Sequence, residues 1–173
     1  YRLEHESLVE RTAEVELNTE FGTFQAISYR QTTNDVDHLA LVMGSWEPDE
    51  SVPVRVHASS MVADIFQVSD FGKGPELHAA LKQIQQNQKG AVVFLNKTRH
   101  GGGLADELNA YAAMKQAKQT GAFPQLDSKD RGIGAQILRN LGIRNIALLS
   151  NSPQNTGYVG FGLTVTSVDP IRG

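Results

Sequence analysis

Two short, unbroken apolar runs, AVVFLN (91–96) and NIALLS (145–150), stand between segments whose apolar residues recur at helical spacing. A strand can be apolar on both sides only where both faces of its sheet are covered, and in a chain that alternates strand with helix, the helices do the covering. Leu77, Ala80, Leu81 and Ile84 mark the helix before the first run, with Gly90 expected to close it. Leu104, Leu108, Tyr111 and Ala112 mark a second helix, and Ile133, Ile137, Leu138 and Leu141 a third that stops at Gly142. Upstream the pattern changes: AEVELN (13–18), FQAISYR (24–30) after a Phe-Gly turn, HLALVMG (38–44) and PVRVH (53–57) read as successive strands. Between PVRVH and the helix at Pro75 the chain reads as irregular, and GLTVTSV (162–168) supplies a last strand. The expected fold is α/β: a mixed sheet with flanking helices and an N-terminal antiparallel strand meander.

A length of 173 residues, 40 % of them hydrophobic, fits one globular domain, which at this size buries roughly 70 % of the surface its unfolded chain exposes. The formal charge of -3 is spread along the chain and leaves no basic stripe, so nucleic acid is not an expected partner. With no cysteine, disulfides, thiolate nucleophiles and cysteine-held zinc are excluded together. No apolar run approaches the ~18 residues of a membrane helix, and YRLEHESLVERT is too polar for a signal peptide. The expectation is a cytoplasmic domain with no membrane partner, in which residues 1–11 are a linker from an upstream domain and residues 12–173 the domain itself.

Three stretches carry groups capable of chemistry. NKTRHGGGLADELNAY (96–111) sets three consecutive glycines at the mouth of a helix, where free N–H groups and the dipole favour an anion. It lacks the lysine and hydroxyl of a P-loop, and a plain glycine loop is the better local reading. QLDSKDRGIGAQIL (125–138) gathers Asp127, Lys129, Asp130 and Arg131 at a helix start, where proton transfer competes with helix capping and capping is favoured. LLSNSPQN (148–155) ends a buried strand with Ser150, Asn151, Ser152 and Asn155, at the end of an open α/β sheet where ligands bind, though it also reads as a polar turn. His57, at a strand end without a second ligand at recognisable spacing, reads as a hydrogen-bonded structural histidine.

VRVH (54–57), Asp64 and Phe66, Gly74 with LHAAL (77–81), GGLADELNAY (102–111), AQIL with LGI (135–143) and NIALLSNSP (145–153) together resemble GTP cyclohydrolase II, the zinc enzyme that opens riboflavin biosynthesis. The likeness spans Thr12 to Ile171, and LVERTAEVELNTEFGTFQAISYR is similar to the entry of that domain in bifunctional proteins whose first half is 3,4-dihydroxy-2-butanone 4-phosphate synthase. The family holds zinc through C-x10-C-x-C, a register that falls here on Ser60, Phe71 and Lys73. A neutral hydroxyl is a weak zinc ligand, a phenyl ring has no suitable lone pair, and an ammonium repels a dication.

The resemblance places the catalytic tyrosine at Tyr111 and the catalytic aspartate at Asp127, and it puts Lys129 where the family has a nucleophilic arginine. Its R-Q-E-G-R segment is Asn96, Lys97, Thr98, Arg99 and His100, and its T-N-N-P-K-K is Ser150 to Asn155, without either lysine. Arg55 remains, while the glutamate of R-V-H-S-E is Ser59 and the V-E-A-N motif has no counterpart in GAFPQ (121–125). Arg55, Ser150 and Asn155 are the nucleotide-binding candidates, Asp127, Lys129 and Tyr111 the vestigial catalytic ones, and no metal or other cofactor is expected. The resemblance then implies a catalytically silent GTP cyclohydrolase II-like domain that regulates and dimerises a synthase half. Expected partners are that upstream domain, a second copy, and a nucleotide or flavin-pathway ligand. The alternatives are a plain folding scaffold, and a metal-independent nucleotide hydrolase or transferase with Lys129 as nucleophile, Asp127 as base and Tyr111 as hydrogen-bonding partner.

Overall fold

The structure is a computed structural model that describes residues 7–69, 73–96, 103–119, 128–151 and 158–172. Seven strands form one sheet: β1 (Val9–Thr19), β2 (Gly22–Gln31), β3 (Asp37–Met43), β4 (Ser51–Ser59), β5 (Gly90–Asn96), β6 (Asn145–Leu149) and β7 (Thr164–Asp169), in the spatial order β1-β2-β3-β5-β4-β6-β7. β1, β2, β3 and β5 pair antiparallel, and β5, β4, β6 and β7 pair parallel. The expected antiparallel meander therefore joins a parallel half through β5, and the mixed sheet is the one the alternating pattern called for. β1 starts at Val9, which is buried, so the sheet takes in the last residues of the stretch read as a linker.

Helices cover both faces. α1 (Met61–Ile65) and α2 (Gly74–Asn87) follow β4, α3 (Leu104–Gln119) follows β5, and α4 (Ser128–Asn140) precedes β6. One core packs Ile133, Ile137 and Leu138 of α4 on Val54, Val56, Val93, Leu95 and Ile146. The other packs Ala80, Leu81 and Ile84 of α2 on Phe24, Val92 and Leu149. The first six residues of β5 are buried, because alternate side chains feed the two cores.

Two local expectations change. α2 ends at Asn87, and Gln88 rather than Gly90 takes the left-handed cap at φ 56°. Gly90 instead opens β5 at φ 149°, where a Cβ would stand 2.8 Å from both Ile84 Cγ1 and the Pro53 carbonyl oxygen. The stretch read as irregular contains α1, whose N-cap is Ser60, with its hydroxyl accepting from the Ala63 N–H at 3.3 Å. Five residues are too few to display a helical period.

α1 is fastened to the end of β4 by a buried pair, His57 Nε2 and Asp64 Oδ2, 2.8 Å apart. Burial pushes the His57 pKa down, against the raising effect of the Asp64 hydrogen bond. Burial works the other way on Asp64, but hydrogen bonds from His57, the Lys73 backbone and Ser59 outweigh it and hold the carboxyl below its usual range. The pair is a neutral imidazole donating to a carboxylate, the structural role expected of His57.

Two outcomes follow from this packing. Gly90→Ala combines overpacking with a disfavoured backbone and should cost about 2–4 kcal/mol in denaturant unfolding, whereas Gly160→Ala, with nothing within 4 Å of its Cβ, should stay within about 0.5 kcal/mol. A histidine whose folded pKa is lowered is protonated more readily in the unfolded chain, so stability should fall as pH drops below about 6.5. Urea titrations from pH 7 to 5 should show His57→Gln flattening that dependence by up to about 1.4 kcal/mol per pH unit.

Candidate functional site

The alternation of β4 sends Val52, Val54 and Val56 into the α4 core and turns Arg55, His57 and Ser59 toward α1 and α2. Arg55 is 12 % exposed. Its guanidinium donates to Glu76 Oε2 of α2 at 3.1 Å and to the Leu149 carbonyl at the end of β6 at 3.3 Å. Its Nε is buried without a hydrogen-bond partner. Burial lowers the Arg55 pKa against the pull of Glu76, Tyr158 and Asp64. The phenol of Tyr158 is pushed up to about 12 by burial, although Arg131 and Arg55 favour its ionised form. Arg55, Arg131 and neutral Tyr158 thus share one neighbourhood at the carboxyl end of the parallel strands. Carboxylates accompany the two guanidiniums there, Glu76 on Arg55 and Asp130 near Tyr158, so the neighbourhood is of mixed charge.

Ser150 is half-buried directly after β6, the residue following the carbonyl that Arg55 holds. Tyr111 is half-buried on α3, with Lys115 Nζ 5.8 Å from its ring centroid. Lys129 is exposed in the first turn of α4. Among the described residues no hydrogen bond or ring contact joins Tyr111 to Lys129 or Arg55. Asp127 and Asn155, like Phe71, lie outside the described residues.

Two of the three positions in the zinc register can be placed. Ser60 Oγ donates to Glu107 Oε2 of α3 at 2.7 Å while accepting from Ala63 N, so its proton and a lone pair are both committed. The Lys73 N–H donates to Asp64 Oδ1 at 2.7 Å, and its ammonium reaches the Ala58 carbonyl at 3.4 Å. Ser59 Oγ donates to the same Asp64 oxygen at 2.7 Å. These are hydrogen-bond donors turned toward carboxylates and carbonyls, a chemistry that does not fit the three thiolates of the family's zinc. Among the described residues, no three His, Asp or Glu side chains converge as a metal-binding group.

Glu107, Glu76 and Tyr158 were not singled out by the sequence reading. Glu107 occupies the first turn of α3, where an acid ordinarily complements the helix dipole in solvent, yet it is buried at 4 % exposure. The one available signal was the serine at position 60, which leaves a buried hydroxyl in need of an acceptor.

The GTP cyclohydrolase II family profile matches residues 10–170. The riboflavin biosynthesis protein RibBA of Cytophaga hutchinsonii is 41 % identical over 178 residues, covering 99 % of this chain and 44 % of that protein. RibBA of Bacillus cereus is 40 % identical over 179 residues, covering 99 % and 45 %. The chain therefore spans less than half the length of these relatives. In structure it is similar to RibBX of A. baumannii, a two domain 3,4-dihydroxy-2-butanone 4-phosphate synthase, with a TM-score of 0.60 and 27 % identity over 100 % of this chain and 43 % of that one. A profile match over nearly the whole chain, together with relatives at this identity, means that the protein belongs to the GTP cyclohydrolase II family.

Proposed function

We propose that this chain is a GTP cyclohydrolase II-like domain of a riboflavin biosynthesis protein that no longer opens the purine ring, and that it regulates a dihydroxybutanone phosphate synthase half and dimerises. The observation that carries this reading is the hydrogen bonding at the zinc register. Ser60 is spent on Glu107 and Ala63, and Lys73 places a positive charge beside the strand end. In the family the metal generates the attacking hydroxide, and among the described residues no group of three His, Asp or Glu side chains is placed to hold a metal. Arg55 is paired with Glu76, but its buried Nε has no hydrogen-bond partner and offers a donor to an anionic ligand such as a nucleotide or a flavin-pathway phosphate. A regulatory ligand of that kind would bind without being turned over.

The rival reading, a hydrolase or transferase acting through Lys129, draws no support from a contact among the described residues. Lys129 is exposed there, unlike a lysine nucleophile activated by apolar surroundings, and Tyr111 stands on another helix.

The purified protein incubated with GTP and added zinc should release formate and pyrophosphate no faster than buffer does; release well above background would refute the proposal. Ser60→Ala removes the N-cap and leaves Glu107 without its hydroxyl donor. It should lower unfolding free energy by about 1–3 kcal/mol, while a chelator should leave the melting temperature of the parent protein unchanged.

A further inference from the structure

α3 is an unusual helix. Among its described side chains only Glu107 is buried, and that is a carboxylate. Leu104 and Leu108, one turn apart, are 75 % and 59 % exposed, and Ala105, Ala112 and Ala113 are exposed with them. A helix of this length draws most of its stability from burying an apolar stripe, and α3 only half-buries one, Ala110, Tyr111, Met114 and Ala117, while Leu104 and Leu108 stay exposed. Its partner α1, joined through Ser60 and Glu107, adds Met61, Ile65 and Phe66, which are 48 %, 66 % and 74 % exposed. Large apolar side chains on two adjoining helices make a patch of the kind that monomeric proteins rarely leave open.

The topology indicates what covers it. α1 and α3 follow the carboxyl ends of β4 and β5, where Ser59 pairs with Asn96. The chain enters β1 at that same end of the sheet: Val9 pairs with Gln31, His38 with Tyr29, and Asn96 N donates to His38 Nδ1 at 2.9 Å. It also leaves there, because Asp169 pairs with Leu149 and accepts from Ser150 N at 2.9 Å. Both ends of the described chain thus emerge on the side that carries the patch. The matched relatives continue for more than half their length beyond the region shared with this chain, and RibBX is a two domain protein. Whichever end carries a second domain, a tether at this side of the sheet presents that domain to α1 and α3 at high effective concentration.

We infer that Ile65, Phe66, Leu104 and Leu108 form the docking face for the synthase half of a two-domain protein, an inference that rests on the function proposed above. α1 and α3 are then the elements through which a ligand held near Arg55 acts on that half, since α1 is fastened to the strand that carries Arg55.

Hydroxyl-radical footprinting tests it, with the 173-residue chain compared with the two-domain protein that carries it. The expected result is protection of Met61, Phe66 and Leu108 by at least about tenfold only when the synthase half is present, independent of protein concentration, and abolished by Leu104→Glu with Leu108→Glu. Light scattering and circular dichroism confirm that the double variant remains folded, and Phe66→Ser, at a helix end, serves as a second variant with the same expected loss. Equal labelling of the patch in both proteins overturns the inference. Protection already present in the 173-residue chain, rising with concentration as a dimer forms, also overturns it by assigning the surface to a second copy. The regulatory proposal fails separately, if the docked domain leaves synthase turnover unchanged with and without nucleotide.

Discussion

One carboxylate organises the functional end of this domain. Asp64 accepts from His57 at the end of β4, from Ser59 two residues on, and from the backbone N–H of Lys73 just before α2. These three bonds close the connection between a central strand and the helix that covers it, in a place where a buried anion is tolerable only if its oxygens are satisfied. Next to this hub, Ser60 turns its hydroxyl outward to Glu107 and so attaches α3, a helix with no buried apolar side chain among those described. The position of Arg55 depends on the same strand, two residues before His57.

Hydrogen bonds between charged and neutral partners can fix the same segments that metal–thiolate bonds fix elsewhere in the family, but they carry different chemistry. A divalent cation lowers the pKa of a bound water and polarises a substrate oxygen. A serine hydroxyl and a lysine ammonium do neither. The apolar cores on both faces of the sheet do not depend on which residues stand at the zinc register, so the family fold can persist whatever chemistry that site carries.

The sequence made the sheet legible because burial on both faces writes itself as an unbroken apolar run. β5 and β6 are read from Ala91–Leu95 and Ile146–Leu149, and the antiparallel portion from the alternation in β1 and β2. Less visible were features set by distant contacts. Gly90 looks like a helix stop in the one-dimensional pattern, and only the approach of Ile84 and Pro53 gives it its place in the strand. Glu107 looks like a solvated first-turn acid until Ser60, 47 residues away, meets it. Tyr158 carries no periodic signal at all, and it is buried in the segment that crosses from β6 to β7. The positions answering to the family's cysteines were readable residue by residue, whereas the hydrogen bonds made at Ser60 and Lys73 were not.

On the function proposed above, the hydrogen bonds that Ser59 and Lys73 make to Asp64 tie the ends of the segment between them together without a metal. Native mass spectrometry of the folded protein, purified and then dialysed against zinc, tests it most directly. The expected mass is that of the bare polypeptide. A stoichiometric zinc adduct that survives a competing chelator and disappears in Ser60→Ala would contradict it.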